Sequence, residues 1–90
     1  MKYSVIIRPE SEIELKDAFL WYEKQSRGLG FEFIRCVDAA LTLINRSPLI
    51  YAEIYNNIRR VLVRKFPFEI FYITDENKIV VLAVFHAKRN

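Results

Sequence analysis

The sequence predicts an α+β fold in which a helix hairpin packs on one face of a mainly antiparallel sheet. Three observations lead to this prediction. A short β-rich segment comes first, two segments with apolar residues at helical spacing follow, and the second half is rich in β-branched and aromatic residues. The predicted order is strand, helix, helix and three strands. With 90 residues, 52% of them hydrophobic, we expect residues 1–90 to form a single domain.

The first strand and the first helix are separated by Pro9. The segment KYSVIIR at 2–8 is rich in β-formers and predicts the strand. Ser11 and Glu14 then have the spacing of a capping box, in which each side chain satisfies a backbone donor at a helix start. Four apolar residues follow at helical spacing: Leu15, Ala18, Phe19 and Tyr22.

The second helix is predicted at 30–46, after a joint that contains both glycines of the chain. Gly28 is expected to end the first helix in a left-handed conformation, and Gly30 to permit the turn. One stripe of the second helix is apolar: Phe33, Val37, Ala40, Leu41 and Ile44. Three more apolar residues widen it and predict burial on more than one side: Cys36, Ala39 and Leu43.

Three strands are predicted in the second half. The first is at 58–65 and the second at 68–74, with Pro67 between them. The residues TDENKI supply a turn before the third, at 79–85, whose continuous apolar run predicts a central strand covered on both faces. The segment 51–55 is compatible with either a strand or a loop.

Composition excludes several kinds of protein. No apolar run reaches the roughly 18–20 residues that span a bilayer, and the N-terminal apolar stretch is too short for a signal peptide. We therefore expect a cytoplasmic protein without a membrane partner. A single cysteine and a single histidine do not allow an internal disulfide or a plausible metal site, so no cofactor is expected.

Positive charge is concentrated in the second half. Residues 46–90 contain eight Lys and Arg and four acids, a net charge of +4, whereas residues 1–45 contain six and seven, a net charge of −1. An anionic partner would therefore meet the second half of the chain.

The basic strand at 58–65 has two interpretations. Because side chains alternate between the faces of a strand, Arg60 and Arg64 lie on the same side, outwards if the valines between them face the helices. Two outward arginines suit the recognition of phosphate or carboxylate groups. The alternative is a solvated face on which the arginines pair across strands with Glu69 or Glu53.

His86 is the single histidine, and it follows directly after the last strand, close to Lys88 and Arg89. An imidazole is a suitable general acid or base near neutral pH, and neighbouring cations would bind a phosphodiester. The alternative is a hydrogen-bonded histidine with a structural role.

Four fragments together resemble one family: WYEKQSRGLGFEF, SPLIY, IRRVLVRKFPFEIFYI and VLAVFHAKR. They are similar to the RelE/ParE superfamily of bacterial type II toxin–antitoxin toxins, the plasmid stabilisation proteins, over essentially the whole chain. The resemblance implies the fold predicted above and a small toxin neutralised by a cognate antitoxin encoded beside it. It also implies an extended or helical antitoxin segment that wraps the toxin, and binding of operator DNA only through the antitoxin.

The superfamily has two main mechanisms. RelE-like members cleave mRNA on the ribosome with an arginine in the third strand and a histidine or tyrosine near the C-terminus, and ParE-like members bind DNA gyrase without catalysis. In a RelE-like toxin the catalytic residues here would be His86, Arg60, Arg64 and Arg89. Glu69 occupies the place of the third-strand arginine, and no tyrosine follows His86. The resemblance therefore favours a ParE-like toxin, with a RelE-like endoribonuclease or an inactive binding module as alternatives.

A partner surface is expected on the outer side of the sheet. Leu62 and Phe71 would both be exposed there in the free chain, and exposed apolar residues mark surfaces that a partner covers. The full set of expected partner-binding residues is Arg59, Arg60, Leu62, Arg64, Glu69, Phe71 and Lys88.

Overall fold

The computed structural model describes residues 3–88 and contains two helices and five strands within them. Along the chain these elements are β1 (Ser4–Ile7), α1 (Pro9–Gln25), α2 (Leu29–Arg46), β2 (Glu53–Tyr55), β3 (Ile58–Leu62), β4 (Phe68–Asp75) and β5 (Lys78–His86). The strands form one sheet in the order β1-β5-β4-β3-β2. Only the β1–β5 pair in this sheet is parallel. The predicted α+β class and the helix hairpin are confirmed.

Helix α1 begins earlier than the sequence indicates. Pro9 is its first residue, where a missing N–H and a fixed φ suit a helix start. The predicted capping box is wrong, because Ser11 and Glu14 bond to the sheet instead. The Ser11 hydroxyl, which is fully buried, donates to the Val81 carbonyl at 3.4 Å. The Glu14 carboxylate accepts a hydrogen bond from the Val84 N–H at 2.9 Å, so both side chains tie α1 to β5.

The joint between the helices depends on Glu23 and the two glycines. Gly28 has a φ of 88°, as predicted, but it immediately precedes α2 rather than ending α1, which stops at Gln25. The Glu23 carboxylate accepts hydrogen bonds from the N–H groups of Gly28 and Gly30, at 2.8 and 2.9 Å. Gly30 is not a turn residue: a Cβ there would lie 2.6 Å from the carbonyl oxygen of Phe19. Its role is to let α2 approach α1 closely.

The core lies between the helices and the inner face of the sheet. An aromatic cluster lies in this core, with ring centroids 4.8 to 6.1 Å apart, and comprises Tyr22, Phe33, Phe66 and Phe68. The apolar stripe of α2 is confirmed, since Phe33, Val37, Ala40 and Ile44 are all buried in this core.

The second apolar side of α2 remains open to solvent. Ala39 is exposed and Leu43 is 44% exposed, so the expectation that both are buried is wrong. Cys36 is half-buried and packs against the core. The sheet is narrow here, because β2 has only three residues and pairs only with Ile58 and Arg59 of β3.

The β2–β3 hairpin resolves the ambiguity of 51–55. Glu53–Tyr55 forms a strand, joined to β3 by Asn56 and Asn57, whose positive φ values of 39° and 67° suit a tight hairpin turn. Strand β3 ends at Leu62, three residues before the predicted end at 65. Lys65 has a φ of 71°, which is incompatible with an extended strand.

Strand β5 lies between β1 and β4, so its predicted internal position is confirmed. Its ladder with β4 contains a bulge, in which Leu82 is an extra residue. Buried positions therefore step by three residues, from Val81 to Val84, instead of two. The expectation that both faces are covered is wrong, because only the helix side is buried and Phe85 on the other side is 51% exposed.

Among residues 3–88, neither helix is long and apolar enough to cross a membrane.

Candidate functional site

Five side chains lie close together on the surface of the sheet that faces away from the helices, and this group of residues is here called the outer sheet face. Strand register brings them together, because Arg60 lies opposite Phe71, Leu62 opposite Glu69, and Glu69 opposite Phe85. The alternation predicted for the basic strand is confirmed from Arg60 to Val63, with both valines buried and Arg60 and Leu62 exposed. The expectation that Arg64 continues this strand face is wrong, because β3 ends at Leu62.

The charges of the outer sheet face compensate each other. Arg60 Nη1 lies 3.5 Å from Glu69 Oε2, which is the cross-strand pairing that the sequence offered as the alternative to phosphate binding. An ion pair this exposed contributes at most about 1 kcal/mol to stability. Its electrostatic consequence is larger, since the carboxylate opposes the attraction of Arg60 for a phosphate group.

Leu62 is the most exposed apolar side chain of the outer sheet face, at 62%. Phe71 is half-buried rather than exposed as expected, because its ring packs against Phe85 with centroids 5.6 Å apart. Leu62 and Phe85 are therefore the apolar side chains that a partner would cover.

Arg59 is engaged within the chain. Its guanidinium donates to the carbonyls of Leu49 and Tyr51, and its side chain is only 16% exposed. The buried hydroxyl of Tyr72 bonds to the same segment, because it donates to the Pro48 carbonyl at 2.7 Å. Burial raises the pKa of Tyr72 to about 12, although the nearby positive charge of Arg59 acts in the opposite direction. Both side chains hold the segment that follows α2.

His86 lies on the helix side of the sheet. It is directly opposite the buried Phe68 in the β4–β5 register, and the two rings are 5.2 Å apart at their centroids. Its Nδ1 accepts a hydrogen bond from the backbone N–H of Lys88 at 3.1 Å. Lys88 itself is exposed.

The residues expected to form a catalytic set are not brought together. Arg60 is on the outer sheet face, whereas His86 is on the helix side of the same sheet. Arg64 lies beyond the end of β3 and lines a groove beside α2. Arg89 lies outside the described residues.

Sequence reasoning missed a groove between α1 and the sheet, which is lined by His86 and by three residues of α1: Glu14, Asp17 and Trp21. Trp21 is 56% exposed and packs edge-on against Tyr22, at 5.2 Å between ring centroids. The sequence does contain a signal for this groove, because residues 14, 17 and 21 are spaced to share one helix face.

A second groove runs between α2 and β3, here called the edge groove. The residues lining it include Cys36, Ala39 and Leu43 from α2, and Leu62, Arg64 and Lys65 from β3 and the residues after it. The open side of α2 described above is one wall of this groove.

Residues 3–88 contain no group of three or more His, Cys, Asp or Glu side chains placed to hold a metal ion.

Among family models, the one for the ParE toxin of the type II toxin–antitoxin system parDE matches the sequence over residues 5–90. None of the curated proteins matches the sequence significantly.

Solved structures of similar fold include two toxin–antitoxin systems. The chromosomal ParDE system from P. aeruginosa matches with a TM-score of 0.80 and 11% identity, over 96% of this chain and 97% of that chain. The E. coli RelBE complex matches with a TM-score of 0.67 and 15% identity, over 97% and 99%. A mutant E. coli RelE in the free state gives 0.61 and 14%, over 98% and 86%. At these identities the structures establish the shared fold.

Proposed function

Because the chain belongs to the ParE toxin family of type II toxin–antitoxin systems, we propose that it acts by binding DNA gyrase rather than by catalysis. In this proposal residues 1–90 are one toxin domain that works in the cytoplasm. A cognate antitoxin neutralises it, and operator DNA is bound only through that antitoxin.

One observation carries the choice of mechanism. Arg60 pairs with Glu69 on the outer sheet face, while His86, the single imidazole, lies on the other side of the sheet. Cleavage of RNA needs a phosphate-stabilising cation and a proton-transferring group at the same phosphodiester. The separation of Arg60 and His86 supports a toxin that binds its target without cutting RNA.

The antitoxin part of the proposal rests on surface and on family. Leu62 and Phe85 are more than half exposed on the outer sheet face, and Leu43 is 44% exposed in the edge groove. The solved ParDE and RelBE relatives are toxin–antitoxin systems by name. A partner that buries such apolar residues would gain roughly 25 cal/mol per Å² of apolar surface, before the costs of association.

The first experiment tests the target. Purified toxin is added to gyrase from the host species, and negative supercoiling of relaxed plasmid is measured with and without the antitoxin encoded beside the toxin gene. We expect inhibition that the antitoxin reverses, and induction of a DNA-damage reporter when the toxin is expressed alone. Unchanged supercoiling at toxin concentrations well above that of gyrase would contradict the proposal.

A RelE-like endoribonuclease is the second candidate, favoured by the exposed side chain of Arg64. It predicts codon-phased cuts in ribosome-bound mRNA that are lost in His86→Ala and Arg64→Ala. Normal growth under strong expression of the toxin alone would instead favour an inactive binding module.

A further inference from the structure

The groove between α1 and the sheet, here called the α1 groove, has a volume of about 910 Å³. Much of its lining is apolar or aromatic, comprising Ala18, Trp21, Tyr22, Phe68, Val84 and Phe85. Trp21 is the single tryptophan of the chain and is 56% exposed, so a large aromatic surface is available to a partner here. Concave apolar surfaces with a few polar groups are typical binding sites, and tryptophan is a frequent anchor of protein interfaces.

The charged side chains of the α1 groove are acidic. It is lined by three carboxylates, Glu14, Asp17 and Glu69, and by no lysine or arginine among residues 3–88. Two of these carboxylates are engaged, because Glu14 bonds to β5 and Glu69 pairs with β3. Asp17 is exposed, and none of the ion pairs within the described part of the chain involves it. The groove is therefore acidic on a protein whose net charge is +3.

Asp17 and Trp21 are four residues apart on α1, so they share one helix face at the groove. A guanidinium or ammonium group bound there would pair with the carboxylate and lie against the indole ring. The neighbouring edge of β5 is less suited to a peptide backbone, because the Val84 N–H already donates to Glu14. The α1 groove is thus built to recognise a cationic side chain rather than an added strand.

The edge groove has the opposite charge. Three cations line it, Arg35, Arg64 and Lys65, against the single carboxylate of Glu32. Surfaces of opposite charge attract partners of opposite charge. Because the edge groove belongs to the surface proposed above for the antitoxin, the acidic α1 groove suits the other protein partner, which is the target. A nucleic acid fits the α1 groove poorly, since the carboxylates would repel its phosphates.

We propose that the α1 groove is the surface through which the toxin binds gyrase. It receives a lysine or arginine of gyrase, whose charge pairs with Asp17 and whose side chain lies against the ring of Trp21. This inference rests on the proposed function, because it takes gyrase as the occupant. It adds the surface of the toxin that makes the contact and the chemistry of the group that is recognised.

The central test removes one charge and keeps the shape of the side chain. Asp17→Asn should bind gyrase about tenfold more weakly than wild type in titration calorimetry at low salt, and the loss should shrink as salt is raised. The toxin concentration that halves supercoiling should rise by the same factor. Asp38→Asn is the matched control, because it changes the net charge equally at an exposed position of α2 outside the groove. We expect it to match wild type.

A second pair of variants tests the aromatic surface. Trp21→Ala should weaken gyrase binding about tenfold, whereas Leu20→Ala removes an equally exposed apolar side chain of α1 outside the groove and should not. Thermal melting establishes that both variants fold, and Asp17→Asn decides the matter if Trp21→Ala does not. In hydroxyl-radical footprinting of the wild-type complex, Trp21 should be oxidised less when gyrase is bound.

The outcomes separate this inference from the proposed function. If Asp17→Asn and Trp21→Ala bind and inhibit gyrase as well as Asp38→Asn and Leu20→Ala, the α1 groove is not the contact surface and the proposed function stands. If the wild-type toxin neither binds nor inhibits gyrase, both fail. If the groove variants keep full gyrase inhibition but lose antitoxin binding, or dissociate a dimer of the free toxin, the occupant is the antitoxin or a second copy and the inference is overturned.

Discussion

Tyr72 has its phenolic hydroxyl enclosed in the core with the Pro48 carbonyl as acceptor. Because the ring is fully buried, ionisation would place a charge in an apolar environment, and the pKa of Tyr72 rises from 10.0 to about 12. The folded state therefore holds this proton more tightly than the unfolded state does.

The consequence is a loss of stability at high pH. The contribution of Tyr72 is complete below pH 10, where both states are protonated, and falls as pH rises from 10 to 12, where only the unfolded state has lost its proton. We expect Tyr72→Phe to be less stable than wild type by about 1 kcal/mol at pH 8, through loss of the hydrogen bond. The difference should shrink above pH 10.

Urea denaturation of both proteins across this pH range measures the effect. All other titratable side chains are the same in both proteins, so the difference isolates Tyr72. A difference that stays constant from pH 8 to 12 would contradict the raised pKa.

At the scale of elements, the joint between α1 and α2 is held by one carboxylate and two backbone N–H groups. Glu23 bonds to both glycines, and the two glycines are required for different reasons. Gly28 has a positive φ and open space around it, whereas Gly30 is in close contact with the Phe19 carbonyl.

Substitutions at the two glycines should therefore destabilise the protein for different reasons. Gly30→Ala should destabilise the protein by about 1–3 kcal/mol, because the backbone oxygen of Phe19 cannot move aside as a flexible side chain would. Gly28→Ala should cost about 1 kcal/mol through its left-handed conformation.

Gly28→Asn serves as the matched control, since asparagine adopts this conformation readily and should remain closer to wild type than Gly28→Ala. The free energy of unfolding in urea measures all three variants. Equal effects of alanine and asparagine at Gly28 would show that φ is not the reason for glycine there.

At the scale of the whole molecule, the sheet separates two sets of chemical groups. The outer sheet face has Arg60 paired with Glu69, and the helix side has His86 in a groove with Glu14 and Asp17. The backbone of the five-stranded sheet lies between its two faces, so side chains on opposite faces do not act on the same phosphate.

This separation predicts the result of Glu69→Arg. The substitution introduces an arginine into β4, at the position where the resemblance associates an arginine with RNA-cleaving toxins. We expect no codon-phased mRNA cleavage on ribosomes, because His86 remains on the other side of the sheet. The stability should change by about 1 kcal/mol or less, the value of an exposed ion pair.

Primer extension on ribosome-bound mRNA measures this expectation, with wild type as the control and a melting curve to establish folding. Ribosome-dependent cuts that appear in Glu69→Arg would mean that the outer sheet face alone is sufficient for cleavage, and the binding mechanism would lose its main support.

The sequence by itself determined the helices, most of the strands and the outward side chains of β3. These follow from local periodicity: 3.6 residues per turn in α2, and alternation at Arg60 and Leu62. The resemblance also identified Glu69 as the residue at the position where RNA-cleaving relatives have an arginine. Each of these features depends on residues that are close together along the chain.

Only the tertiary structure decided which distant groups meet. Ser11 and Glu14 bond to β5 rather than cap α1, the bulge at Leu82 shifts burial along β5, and His86 faces away from Arg60. The edge groove exists because β2 stops short beside β3. These features depend on strand register and on the approach of α1 and α2 to the sheet, which are fixed by packing between segments far apart in sequence.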